Sequence, residues 1–178
     1  MIVDSYQTLE DRDNVSEIEA NGPYQCKHNQ SWLGQGCYLW DTNIHWAHNW
    51  GETAYKSKGK DYLILHCKVD LSNDCFDLFG SVEHQQGFIE VMEVLKKSGK
   101  VRDEKGLIVS NIIQFMKNKG IFPFKSIRAF DQPKKQVQVP FRKSGIEQIT
   151  LNQRVQICVI TKKDVVLFPI KVIFSKKM

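Results

Sequence analysis

The chain has 178 residues, 42% of them hydrophobic and 25% charged, and carries a formal net charge of +5. This is the size and composition of one globular domain, spanning residues 1–178, and it excludes a disordered or low-complexity protein. No apolar run reaches the roughly 18 residues that a bilayer-crossing helix needs, and Met1-Ile2-Val3-Asp4 has no basic stretch leading into an apolar one, so a cytosolic protein, or one delivered to a host cytosol, is expected and no membrane partner.

Residues 2–8 read as a short extended segment. A helix follows, in which Val15 and Ile18 share a face and Asn21-Gly22 supplies a stop able to take φ > 0. Residues 23–31 are polar and read as loop. Leu33-Gly34-Gln35-Gly36-Cys37-Tyr38-Leu39-Trp40 is a glycine-flanked turn running into an aromatic strand, with Asp41 or Thr42 placed to cap the next helix. In that helix Ile44, Ala47, Trp50 and Ala54 recur near helical spacing and define one apolar face. After a basic loop at 55–60, Leu63, Leu65, Cys67 and Val69 alternate with Ile64, His66, Lys68 and Asp70, which is a strand pattern.

The middle of the chain reads as helical. Phe88, Ile89, Met92 and Leu95 mark one helix ending near Gly99, and Ile108, Ile112, Phe115 and Met116 mark a second ending at Gly120. Strands return at 126–130, 136–141, 154–160 and 165–174, where Pro140 and Pro169 point to edge positions or bulges. The order does not alternate as a doubly wound sheet does. It predicts an α+β fold of split, largely antiparallel sheets with helices packed on them.

Five cysteines, Cys26, Cys37, Cys67, Cys75 and Cys158, are an odd number at irregular spacing and argue against a disulfide framework. Cys26, His28, Cys37, His45 and His48 fall close together, but paired Cys-x-x-Cys spacing is absent, so no metal site is assigned. No flanking signature marks a Cys–His nucleophile. Basic pairs at Lys134-Lys135, Arg142-Lys143, Lys162-Lys163 and Lys176-Lys177 are compatible with an anionic partner such as RNA or DNA, and read first as an ordinary solvated surface. Glu83, His84, Glu90 and Glu93 read as a solvated helix face, and Trp46 as packing.

The pair Gly34-x-Gly36 permits a close backbone approach or a conformation closed to other residues, and Tyr38 would present a ring and a hydroxyl to the occupant of a cleft. The stretch from Leu33 to Trp50 resembles the second motif of the ADP-ribosyltransferase superfamily, in its diphtheria-toxin/PARP branch. That motif is Gly-x-Gly-x-Tyr-hydrophobic, followed by a helix with a small residue and an aromatic; Gly34, Gly36, Tyr38, Ala47 and Trp50 occupy these places. The family's first motif is a Tyr-His-Gly-Thr-like string before a helix ending in Asn-Gly. Here Ser5-Tyr6-Gln7-Thr8 precedes Asn21-Gly22, with Gln7 where a histidine is usual and no glycine. The third motif is a glutamate on a late strand, where this chain has Gln156; Arg154-x-Gln156 does not supply the two acidic or amide residues of the Arg-directed branch.

The resemblance implies NAD as a substrate, attacked at its anomeric carbon with loss of nicotinamide through an oxocarbenium-like transition state. It implies catalytic roles for Tyr38, Gln156 and Gln7. Tyr38 would stack on nicotinamide; Trp50, like Trp46, reads first as packing and alternatively closes the slot. Gln7 or Thr8, on the segment that holds Tyr6, would bond the adenosine-side ribose, and Gln156 the 2′-hydroxyl of the other ribose. A neutral amide stabilises a developing cation less than a carboxylate does, so slow or narrowly targeted transfer without chain elongation is expected, with Glu52 and Glu147 as substitute carboxylates. The expected activity is mono-ADP-ribosyl transfer to a protein or nucleic acid, as in a toxin or effector. The alternatives are a catalytically silent member of the fold that binds a nucleotide, RNA or protein, and an interaction protein unrelated to NAD.

Overall fold

A computed structural model describes residues 1–26, 31–98, 107–132, 137–143 and 146–176. In chain order its elements are β1 (Ile2–Glu10), α1 (Val15–Asn21), β2 (Cys37–Asp41), α2 (Ile44–Ala54), β3 (Tyr62–Asp70), β4 (Cys75–Asp77), α3 (Val82–Lys97), α4 (Val109–Asn118), β5 (Ser126–Asp131), β6 (Val137–Pro140), β7 (Gln148–Leu151), β8 (Arg154–Val159), α5 (Lys162–Val165) and β9 (Val166–Ser175). Seven strands form one sheet in the order β4-β5-β8-β2-β1-β3-β9, while β6 and β7 form a separate ribbon. Among the described residues only β4 and β5 pair in parallel, so the fold is α+β on a largely antiparallel sheet. Among the described residues no helix is long and apolar enough to cross a membrane.

Three hydrophobic cores follow from the strand alternation. Leu63, Leu65, Cys67 and Val69 of β3 face Ile18 of α1 and Ile170 and Val172 of β9. Tyr62 and Ile64 face the other way, against Trp40 and against Ala47 of α2. A third core joins Phe76 and Ile127 to Leu95 of α3 and to Ile112, Ile113 and Met116 of α4. Covering both faces of β3 explains why Leu63, Ile64 and Leu65 are all buried, each such side chain contributing about 1.5–3 kcal/mol by leaving water.

The two halves of the sheet meet along a short seam. β1 pairs with β3 over its whole length, from Ile2↔Asp70 to Glu10↔Tyr62. It pairs with β2 only at Ser5↔Asp41 and Tyr6↔Trp40. Beyond that point β2 belongs to β8, from Trp40↔Gln156 back to Cys37↔Val159. The strands part between Gln7 and Leu39, but the seven strands stay one continuous sheet, and the split sheets expected from the element order are corrected to that sheet plus the β6–β7 ribbon.

Some local expectations are corrected. Asn43, not Asp41 or Thr42, caps α2: its side chain accepts from the His45 backbone N–H, while Asp41 remains in β2 and Thr42 turns at φ 55°. Gly22 ends α1 in an extended conformation, φ −67°, and not at positive φ. The buried face of α2 is Ala47 and Gly51; Ile44 and Trp50 are exposed. The basic loop holds a single 3-10 turn, Lys56–Lys58. β4 and β7 fall where no strand was expected. Pro140 does lie in the isolated ribbon, and Pro169 lies on the edge strand β9 within a register irregularity opposite His66 and Lys68. The expected helix end at Gly99, the strand start at Gln136, the basic pair Lys134-Lys135, Lys177 and His28 lie outside the described residues.

Candidate functional site

A cavity of about 620 Å³ lies where β1 and β2 part. β1 lines it with Gln7, Thr8 and Leu9, β2 with Tyr38, Leu39 and Trp40, and β8 with Gln156. Trp50 of α2 adds a half-exposed ring 6.3 Å from that of Trp40, centroid to centroid. Trp32, Tyr24 and Tyr55 extend the aromatic wall. The sheet order β8-β2-β1 is what gathers Gln156, Tyr38 and Gln7 around one space although they are far apart in sequence.

The Gln7 amide is committed to the chain. Nε2 donates to the Tyr24 carbonyl at 2.7 Å and to the Tyr38 carbonyl at 3.3 Å, and Oε1 accepts from the Tyr24 backbone N–H at 2.7 Å. It clamps the loop after α1 onto β1 and bridges toward β2 beyond the last backbone pair. Thr8 donates its hydroxyl proton to the Ala47 carbonyl at 2.7 Å and keeps only lone pairs for a ligand. Ala47 is itself fully buried and supports Thr8 without lining the cavity.

Tyr38 exposes its ring to the cavity, but its hydroxyl is engaged. It accepts from the Leu33 backbone N–H at 2.9 Å and donates to the Gly34 carbonyl at 2.8 Å. Burial, with the Cys158 thiol beside it, pushes the phenol well above its ordinary pKa, so the group stays a neutral donor. The two glycines have separate reasons. Gly34 sits at φ +90°, where a side chain is strained. Gly36 lies against β8, where a Cβ would stand 2.5 Å from Cys158 Sγ and 2.7 Å from the Val159 carbonyl oxygen. The motif shapes the turn that carries Tyr38; the close approach at Gly36 is to a neighbouring strand and not to the cavity, which neither glycine lines.

Gln156 faces the cavity from β8, in register with Trp40. Its Oε1 accepts from Trp32 Nε1 at 2.9 Å. The carboxylate that lines the cavity is Asp131, at the end of β5, and Arg154 holds it with two bonds of 2.6 Å, Nε to Oδ1 and Nη2 to Oδ2. The same guanidinium lies 5.6 Å from the Trp46 ring centroid. Glu52 and Glu147 do not line the cavity: Glu52 accepts from the Tyr62 hydroxyl and pairs with Lys56, and Glu147 pairs with Arg142 on the ribbon. Tyr6 also lies away from it, its ring 5.4 Å from that of His66.

Of the residues expected from sequence, Tyr38, Gln156, Gln7, Thr8 and Trp50 therefore converge, while Tyr6, Gly34, Gly36 and Ala47 stand behind or beside the space. Trp32 and Asp131 were missed. Trp32 directly precedes the glycine turn, and Asp131 follows the last residue expected in its strand, so position relative to the motifs was the available signal. Among the described residues no three His, Cys, Asp or Glu side chains gather as a metal site would require. Comparison with protein-family models, with curated proteins and with solved structures found no match in any of the three.

Proposed function

We propose that the cavity binds NAD and that the chain is a mono-ADP-ribosyltransferase acting on a macromolecule, protein or nucleic acid. The observation that carries this reading is the convergence of Tyr38, Gln156 and the Gln7–Thr8 segment on one cavity at the seam of the sheet. Its volume of about 620 Å³ is within the range of small-ligand and cofactor sites, and its walls combine aromatic rings with polar side chains such as Gln7, Thr8, Ser31, Asp131 and Gln156. The Tyr38 ring and the Trp50 ring supply flat surfaces for nicotinamide. Gln156 supplies a polar contact to the sugar. In the reaction the anomeric C–N bond breaks, its electron pair leaves with nicotinamide, and an acceptor oxygen or nitrogen forms the new bond and gives up its proton. Holding both partners in line is most of the work, and an amide in place of a carboxylate makes the step slow.

A second reading, a silent module that binds a nucleotide without turnover, is favoured by one specific observation. Asp131, the carboxylate on the cavity wall, is neutralised by Arg154. Labelled NAD incubated with the protein and a cell lysate separates the two: label on protein or nucleic acid supports transfer, and a thermal shift with NAD but no label supports the silent module. Tyr38→Ala abolishes NAD binding by isothermal titration. Because Tyr38 also ties the Gly34 turn, Trp50→Ala is the companion variant: its half-exposed ring can be removed with the fold intact, and NAD affinity drops. Unchanged NAD affinity in both variants overturns the assignment.

A further inference from the structure

The contact between Trp32 and Gln156 fixes more than a distance. An indole nitrogen is a donor only, so the Gln156 atom 2.9 Å from Trp32 Nε1 has to be the carbonyl oxygen. The amide orientation follows from chemistry, and the NH₂ end is turned away from Trp32, on a residue that lines the cavity. Among the described residues Nε2 has no hydrogen-bond partner, and it is not among the buried orphaned atoms. Trp32 is in turn held from both sides. Its ring packs against the core under α3 and α4, and the next residue, Leu33, gives its backbone N–H to the Tyr38 hydroxyl. A continuous set of contacts thus runs from Tyr38 on β2 through the turn and Trp32 to Gln156 on β8.

We propose that Trp32 is a positioning residue that locks the Gln156 amide with its NH₂ group toward the cavity, so that the site meets its ligand there as a hydrogen-bond donor. The ligand atom at that position is an acceptor: a sugar oxygen or the carbonyl oxygen of a carboxamide. The identity of NAD as that ligand rests on the reading above; the locked amide does not. Without the indole N–H the amide can rotate by half a turn and offer its oxygen instead, and the preorganised donor is lost.

Two measurements test this. The first needs no ligand. In a ¹H–¹⁵N spectrum the Trp32 indole peak, assigned by its absence in Trp32→Phe, moves upfield in Gln156→Met, which keeps the length of the side chain and removes the acceptor. An unmoved peak overturns the proposal. The second is a double-mutant cycle read by isothermal titration with NAD. Trp32→Phe, which keeps an aromatic ring in the core, lowers NAD affinity by roughly three- to tenfold, the worth of one neutral hydrogen bond. The same change made in Gln156→Ala lowers it no further. Losses that add across the two variants mean that Trp32 acts through packing alone, and the proposal fails. If the native protein does not bind NAD, the NAD reading fails by itself, and the indole peak decides the locked amide.

Discussion

Gln7 lies at the floor of the seam with both ends of its amide used by the backbone of Tyr24 and Tyr38. A side chain that is 6% exposed and satisfied in this way acts first on stability. Gln7→Ala leaves the Tyr24 N–H and two carbonyls without their partner, and is expected to lower stability by about 2–3 kcal/mol, read from the urea midpoint. A variant with normal stability but lost NAD affinity would return Gln7 to a ligand role. Gln7 and Tyr38 line the same cavity, as two residues on neighbouring strands can. The sequence could not show where the amide points, since that is decided by the loop after α1, which folds back over β1. The same holds for Tyr38, whose ring was legible as a cleft residue while its hydroxyl is spent on the Gly34 turn.

Between elements, the seam is pinned by charge. Asp41, the last residue of β2, is 4% exposed and sits opposite Ser5 at one of the two pairs that join β2 to β1. Arg128 of β5 reaches it with Nε at 2.6 Å, donates from Nη1 to Asp77 of β4 at 3.3 Å, and stacks 4.8 Å from the Phe79 ring centroid. Arg128→Met would strand a carboxylate whose Oδ1 already lacks a partner among the described residues. The expected cost is about 3–5 kcal/mol, with partial recovery when Asp41→Leu is added, because removing both charges is cheaper than removing one. Chemical denaturation of the single and double variants checks this; a single variant with native stability contradicts it. The strands that make the network differ in how well they could be foreseen. β5 and β8 run for six residues each, whereas β4 is only Cys75-Phe76-Asp77, too short for any period to register. For α2 the helical period was legible but its phase was not. Gly51, which offers no hydrophobic signal, is buried because the ring of Tyr62 leaves no room for a side chain there.

Over the whole molecule, two of the three cores share one chemical property that the sequence shows only as an odd cysteine count. All five cysteines are free, and four are buried. Burial pushes the Cys67 and Cys158 thiols up to about 12 and that of Cys75 to about 11, against an ordinary value of 9.0. Cys67 sits in the core between β3 and α1, and Cys158 in the core under α3 and α4, so the effect is not confined to one element. The sign of the pH dependence follows. Below the ordinary thiol range both folded and unfolded chains hold these protons, and the thiols leave stability independent of pH. Above it the unfolded chain ionises while the folded chain does not, so the folded state binds more protons and stability falls as pH climbs from 9 toward 12. The chain passes its isoelectric point near pH 8.9, so across this range its net charge is negative and growing, and self-repulsion adds to the fall. Urea midpoints measured in reductant at successive pH values above 8 should therefore decrease, and the slope should be shallower in Cys67→Ala, in which one of the responsible thiols is gone. A midpoint that stays level or rises with pH, or a slope indifferent to Cys67, would mean that the cores hold their thiols no more tightly than water does.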